Sequence, residues 1–271
     1  MLSIAGTARF VSDLHLRQDR TDLTERFARF LVDCVTQKID ALFILGDLFE
    51  YWIGDDNLDD LFIAEIVTKL RKLSDGGTRL FFVHGNRDFL IGSNFAAATG
   101  ASLLPELSVL NIAQTPVGAG ALHGGMSASL SANTPSIDMQ VLLLHGDTLC
   151  TDDHAYQDFR RLVRTDEWQN TFLAKPLEAR RAEVAALRQR SAEAVRQKPA
   201  QLMDANPSAV RQTLAASGCQ LMIHGHTHRP SHEIVDTATG SERWVLSDWD
   251  MGRGDALEIK AGKIQRLQYK N

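Results

Sequence analysis

The chain has 271 residues, near the size at which a single hydrophobic core stops growing, so one large domain with an insertion is favoured over two equal ones. Its formal net charge of -5 argues against a dedicated nucleic-acid binder, and its 44% hydrophobic and 23% charged residues are those of an ordinary globular protein. Three widely spaced cysteines, Cys34, Cys150 and Cys219, give neither a disulfide framework nor a Cys-x-x-Cys motif; a reducing cytosol is the expected compartment, with Cys150 and Cys219 filling apolar space. The N-terminus runs almost directly into the first predicted strand without the pattern of a secretory signal. No window approaches the roughly 20 consecutive apolar residues that span a bilayer, so any membrane contact is expected to be peripheral.

Phe10-Val11 is the first buried strand, and it ends in Asp13-Leu14-His15. Leu23, Phe27, Phe30, Leu31, Cys34 and Val35 then recur at helical spacing, and Ala41 to Leu45 forms a second apolar run that stops at Gly46-Asp47. Leu58 to Leu73 predicts a helix with Leu61, Phe62, Ile66, Val67 and Leu70 on one stripe, terminated by Asp75-Gly76-Gly77. The strand Leu80 to Val83 leads to Gly85-Asn86-Arg87-Asp88, and a short helix near Asn94 to Thr99 ends at Gly100. This alternation of strand and helix predicts an α/β layer.

Gln114 to Ser136 is almost wholly small and polar, which predicts a mobile surface loop in which His123 is a bystander. Val141 to Leu144 is again strand-like and runs into His145-Gly146-Asp147. From Asp153 to Ser217 no strand-like run occurs, and the segment is expected to be an inserted helical cap. Within it, Glu178 to Lys198 is dense in arginine, with Leu177, Val184, Leu187 and Val195 interleaved. Two readings of that helix stay open: a solvated face with charge pairs four residues apart, or a cationic amphipathic lid that meets an anionic amphiphile or a lipid surface. Leu221 to Ile223 precedes His224-Gly225-His226-Thr227-His228, and Trp244 to Leu246 with Ala256 to Tyr269, turning at Ala261-Gly262, are expected to complete a second sheet.

Five apolar runs therefore each end in a cluster of metal-ligating residue types. A single Asp-x-His or Gly-Asp is a common turn, but five such clusters in order are not. Carboxylate, amide oxygen and imidazole together select a hard or borderline divalent pair over copper or an iron-sulfur cluster. Two such ions can share a bridging carboxylate, for which Asp47 is placed, and a bridging hydroxide that attacks phosphorus.

The order Asp13-x-His15, Gly46-Asp47, Gly85-Asn86, His145 and Gly225-His226-x-His228 resembles the calcineurin-like metallophosphoesterases. That resemblance implies a two-sheet β-sandwich flanked by helices, with a core of residues 1–152 and 218–271 and a cap of 153–217. It further implies that Asp13, His15, Asp47 and His228 bind one metal, and that Asp47, Asn86, His145 and His226 bind the other. His224 is then spare, either orienting a neighbouring ligand or packed in the core.

Longer strings, among them Gly46-Asp47-Leu48-Phe49-Glu50-Tyr51-Trp52-Ile53-Gly54-Asp55-Asp56 and His84 to Leu90, are similar to those of the UDP-2,3-diacylglucosamine pyrophosphohydrolases of lipid A synthesis. This likeness implies two Mn2+ ions, hydrolysis of the pyrophosphate of UDP-2,3-diacylglucosamine to lipid X and UMP, and peripheral attachment to the cytoplasmic face of the inner membrane. It places substrate contacts at Asn86, Arg87, Asp153, Ser191, Lys198 and His226, and the catalytic group at Asp47, Asn86, Arg87 and His226. Many wider relatives carry histidine after the motif asparagine; Arg87 here suits an anhydride, whose phosphate leaving group needs a fixed positive charge more than a proton. Val195 stands where that family has asparagine, and the loop after Gln114 is longer than usual. The rival readings are a metallophosphoesterase of a soluble nucleotide pyrophosphate or a phosphoprotein, and a scaffold that has lost its metals.

Overall fold

The computed structural model describes residues 2–113, 139–250 and 252–270. The loop expected at 114–136, with His123, lies outside them, as does the side chain of Val195. In chain order the elements are β1 (Leu2–Ala5), β2 (Ala8–Val11), α1 (Thr21–Thr36), β3 (Ala41–Leu45), α2 (Leu61–Asp75), β4 (Arg79–Val83), α3 (Ser93–Thr99), β5 (Ala101–Leu104), β6 (Ser108–Ala113) and β7 (Met139–Leu143). There follow α4 (His154–Val163), α5 (Asp166–Leu173), α6 (Leu177–Gln197), α7 (Pro207–Ser217), β8 (Leu221–His224), β9 (Ser231–Asp236), β10 (Ser241–Val245), β11 (Asp255–Lys260) and β12 (Lys263–Gln268).

Two six-stranded sheets form, in the orders β12-β11-β2-β3-β4-β5 and β1-β6-β7-β8-β10-β9. In the first, β2 to β5 run parallel because a helix between each successive pair of strands returns the chain to the same end of the sheet. Period-two alternation divides each of these strands between two cores. Ala41, Phe43 and Leu45 of β3 face the other sheet and meet Ile4, Val141 and Ile223, whereas Leu42 and Ile44 face the helices and meet Phe27, Phe30, Ile66 and Leu70. On the outer side of the second sheet, Val210 and Leu214 of α7 pack with Leu142, Leu144 and Met222.

Several elements differ from expectation. The C-terminal strands do not complete one sheet: β10 pairs with β8 in the second sheet, while β11 pairs antiparallel with β2, placing Leu257 opposite Phe10 in the first. Strands β1, β5, β6 and β9 had no clear signal. Leu61 is the first residue of α2 and is 88% exposed; the buried stripe is Ile63, Ile66, Leu70 and Leu73. All three cysteines are buried and unpaired. No helix of the described residues is long and apolar enough to cross a membrane.

The sheet-to-sheet core turns on a ladder of stacked rings. Phe43 lies 5.0 Å from Phe10 and 4.7 Å from Phe81, ring centre to ring centre. Phe43→Ala should therefore cost about 3–5 kcal/mol in urea unfolding, through lost burial and an unfilled cavity between the sheets; a loss below about 1 kcal/mol would mean that the ladder is not a rigid part of the core.

Candidate dinuclear metal centre

The parallel strands β2, β3 and β4 present their carboxyl ends on one edge of the first sheet, and the parallel pair β7 and β8 does the same in the second. Loops leaving these ends carry Asp13 and His15, Asp47, Asn86, His145, and His226 with His228. All seven come together. Asp13 Oδ1 lies 3.3 Å from His228 Nε2 and 3.9 Å from His15 Nε2, and the two imidazole nitrogens face each other at 3.3 Å. Asn86 Oδ1 lies 3.0 Å from His145 Nε2 and 2.9 Å from His226 Nδ1.

Asp47 stands between the groups: its Oδ2 is 3.8 Å from His15 Nε2 and its Oδ1 is 3.7 Å from His145 Nε2. Donor atoms spaced in this way fit cations that sit about 2.0–2.2 Å from each nitrogen or oxygen. A buried polar atom points to the same conclusion, because Asp13 Oδ1 has no hydrogen-bond partner although it is fully enclosed. The residues present thus fit divalent metal binding, with Asp47 standing between the two groups of donors.

The remaining atoms of the ligands are held by other groups. Ser12 Oγ and the His226 N–H donate to Asp13 Oδ2 at 2.6 and 2.8 Å, which leaves Oδ1 facing the site. His145 Nδ1 donates to Leu45 O at 2.8 Å, so Nε2 is the bare nitrogen. The backbone N–H of Arg87 donates to Asp47 Oδ1 at 2.8 Å. Asp88, not a ligand, joins the loops after β3 and β4, since its carboxylate accepts from the N–H groups of Gly85, Asp47 and Leu48 at 2.9, 3.2 and 2.7 Å.

Backbone strain collects here. Asp13, His15, Asp47, His226 and His228 all have positive φ, between 47° and 67°, a region that side chains other than glycine seldom occupy. Close approach needs glycine as well: a Cβ on Gly225 would stand 2.1 Å from Ser12 Oγ and 2.2 Å from Asp13 Oδ2, and one on Gly85 would stand 2.1 Å from Asp47 Oδ1.

Electrostatics follow from burial. Desolvation opposes the Asp13 carboxylate, but His228, His145 and His15 hold its pKa well below the usual range. Burial, reinforced by the charge of Asp47, pushes Asp88 up to about 7. For His226, burial and the nearby His145 lower the pKa to about 4, so a neutral imidazole is presented at physiological pH. His224 is lowered to about 3 by burial and then by Arg243; its Nδ1 lies 2.9 Å from Gly225 O and it is a packed histidine of β8.

Beside the metal residues opens a cavity of ≈ 420 Å³ between the sheet edge and the helices α4 to α6. Asn86 and Arg87 line it; Phe89, Leu90, Val163, Trp168, Phe172, Val184 and Leu187 make apolar walls; Arg164, Arg188, Arg190, Ser191 and Lys198 add polar groups. Of the expected substrate contacts, Ser191 and Lys198 line this cavity, whereas Asp153 caps α4 and grips Lys198 Nζ at 2.7 Å. Leu202 is 39% exposed and does not line the cavity.

The arginine-dense helix α6 is not simply a solvated face. Arg180 donates to Asp56 and to Ile53 O, Arg181 to Asn57 Oδ1, and Arg188 to Glu50 Oε1, so α6 docks on the loop that follows Asp47. Asp147, which closes the His145-Gly146-Asp147 cluster, accepts from Tyr156 Oη at 2.8 Å and Arg160 Nε at 2.7 Å and so ties α4 to the His145 loop.

Comparison with known proteins agrees with this geometry. The model of the calcineurin-like phosphoesterase family matches residues 8–230. The chain is 40% identical over 263 residues to a protein of Chromohalobacter salexigens named UDP-2,3-diacylglucosamine hydrolase, covering 97% of this chain and 96% of that one. Proteins with the same name from Serratia proteamaculans and Neisseria meningitidis serogroup B are 41% and 39% identical, covering 96% and 93% of this chain and 98% and 93% of theirs.

If the tight approach of Gly225 to Asp13 holds the first metal position, Gly225→Ala should weaken divalent-metal affinity on the order of 10- to 100-fold, as a displaced ligand support does. Metal content after dialysis against a graded series of chelator concentrations measures it; unchanged retention would rule out that role for the glycine.

Proposed function

The chain belongs to the calcineurin-like phosphoesterase family, a family of metal-dependent hydrolases, and from that premise we propose that it cleaves the pyrophosphate of UDP-2,3-diacylglucosamine to UMP and 2,3-diacylglucosamine 1-phosphate (lipid X), a step of lipid A synthesis. The observation that carries this reading is the cavity: aromatic and aliphatic walls, cationic groups along them, and the candidate metal residue Asn86 in its lining. An acylated sugar phosphate needs all three. A soluble nucleotide has no use for the apolar part, where each buried CH2 contributes about 0.8 kcal/mol.

In this mechanism two divalent ions, which we take to be Mn2+, supply Lewis acidity that neutralises phosphate charge and acidifies water. The protein does the rest. Asp47 sets the spacing of the two positions, and the N–H of Arg87 fixes one of its oxygens at 2.8 Å. The Arg87 side chain lines the cavity beside Asn86, where its guanidinium can meet the two phosphates in bidentate fashion. Water adds to the phosphorus on the uridine side, the bond to the bridging oxygen breaks, and lipid X leaves as a phosphate anion stabilised by fixed positive charge rather than by a proton. Lys198, held by Asp153, and Ser191 face the sugar phosphate from the cap, which we assign to residues 153–217 between core segments 1–152 and 218–271. His226, neutral at physiological pH, and Asn86 complete the contacts.

Because two acyl chains partition into lipid, we also propose that the enzyme works at the cytoplasmic face of the inner membrane as a peripheral protein, with no nucleic-acid partner. Sedimentation with inner-membrane vesicles, reversed by high salt without detergent, is the expected behaviour.

Purified protein with Mn2+ should convert UDP-2,3-diacylglucosamine in oxygen-18 water with the label entering UMP. Label in lipid X instead would move the attack to the other phosphorus; hydrolysis of a soluble nucleotide pyrophosphate with the acylated substrate left intact would remove the reading altogether. Asp47→Ala should abolish turnover and metal retention together. Arg87→Ala should lower kcat by roughly 100- to 1000-fold, the scale of a lost charge-stabilising donor, with metal content unchanged.

A further inference from the structure

Each histidine facing Asp13 has a carboxylate behind it. Glu50 Oε2 stands 3.4 Å from His15 Nδ1, a buried nitrogen with no hydrogen-bond partner among the described residues, and Asp248 Oδ2 stands 3.8 Å from His228 Nδ1. An arginine grips each carboxylate from the far side: Arg188 of α6 holds Glu50 Oε1 at 2.5 Å, and Arg253 holds Asp248 Oδ1 at 2.6 Å. The other half of the centre is built differently. His145 Nδ1 meets an uncharged carbonyl, Leu45 O, and His226 turns its Nδ1 toward Asn86 Oδ1.

We propose that Glu50 is a positioning residue, whose carboxylate takes the Nδ1–H of His15, commits Nε2 to the metal, and makes the position at Asp13, His15 and His228 the tighter of the two. The inference rests on the two-metal reading above. Its physical basis is that a carboxylate hydrogen-bonded behind an imidazole fixes the tautomer and ring orientation and raises the basicity of the far nitrogen, more than a neutral carbonyl does. Glu50 is well placed to be rigid. Its N–H donates to Leu16 O at 3.1 Å, so the Asp47 loop and the His15 loop are laced together along their backbones.

Arg188 gives the device a second consequence. This side chain lines the substrate cavity, packs over the ring of Tyr51 at 5.5 Å and holds Glu50. The docked helix α6 and the metal ligand His15 therefore share one carboxylate. A ligand that settles α6 against the core favours the same Glu50 position that the metal needs, and by linkage the metal favours the ligand equally.

The test is calorimetric titration of metal-free protein with Mn2+. Wild type should bind two ions with unequal affinity. The first position can be read alone in an Asn86→Ala background, where a ligand of the other is missing. In that background Glu50→Ala should weaken the remaining event about 10- to 100-fold, and Glu50→Gln, which keeps an acceptor for His15 but loses the charge, should fall between. The Gln variant decides the question if the Ala variant does not fold. Two ions bound by wild type, with affinity in the Asn86→Ala background unmoved by either Glu50 substitution, would overturn the role of Glu50 and leave the two-metal reading standing. Fewer than two ions bound by wild type would instead defeat the two-metal reading itself.

Discussion

Everything at the active edge follows from concentrating carboxylates where water is excluded. Asp13, Asp47 and Asp88 are all buried, and the ion pairs that Asp13 and Asp47 make are with histidines rather than with lysine or arginine. Burying an ionised carboxylate without a full partner costs several kcal/mol. Three devices share that cost. Asp88 takes three backbone N–H groups, and its burial beside Asp47 raises its pKa so that the charged form is disfavoured. Asp13 takes two hydrogen bonds on one oxygen. What is left, Asp13 Oδ1 and the oxygens of Asp47 that face the histidines, is a site whose natural complement is divalent positive charge.

Such a site can exist only because the sandwich is stiff. Five ligand residues sit at positive φ, each costing on the order of 1–3 kcal/mol, and no local sequence preference would hold them there. Backbone ladders beyond the strand ends do so: Asp13 N–H to Gly46 O, His15 N–H to Asp47 O, Leu16 N–H to Leu48 O and Gly225 N–H to His145 O. These bonds continue the sheet pairing into the loops, so the stacked core of Phe10, Phe43 and Phe81 is coupled to ligand geometry a few residues away. Arg26 extends the same logic to the far side, where its guanidinium reaches from α1 to Trp249 O and Arg253 O and steadies the segment that carries Asp248.

What was legible in the sequence was whatever combined an apolar run with an unusual terminus. Strands β2, β3, β4, β7 and β8 are apolar enough to be seen, and each ends in ligand residues. Strand β1 buries one residue of its four, and β9 none, so neither has a pattern to find. The division of the C-terminal strands between two sheets depends on β11 pairing with β2 across nearly the whole chain length, which no local signal encodes. The candidate metal residues stand out in the sequence because their types are chemically selective. Glu50 and Asp248 do not, because a lone carboxylate in a loop has no spacing to betray it; its meaning is the imidazole behind which it stands. For the same reason the arginine-rich helix could be seen but not resolved: its pattern left a solvated face and a lid equally open, and only the partners Asp56, Asn57 and Glu50 show that it docks.

Arg87 and Arg188, two of the cationic residues that line the cavity, are anchored differently. Arg87 is anchored through its backbone N–H to Asp47, and its side chain extends from that point along the cavity. Arg188 is anchored to Glu50 and to the ring of Tyr51, and belongs to the cap. A histidine at position 87 could donate a proton, but its charge would depend on its neighbours: in this centre desolvation lowers His226 and His224, whereas nearby carboxylates raise His15, His145 and His228. Fixed guanidinium charge escapes that dependence, since arginine stays protonated under the same desolvation. In a buried, carboxylate-rich centre, the choice of arginine over histidine is therefore set by the electrostatics of the fold as much as by the chemistry of the leaving group.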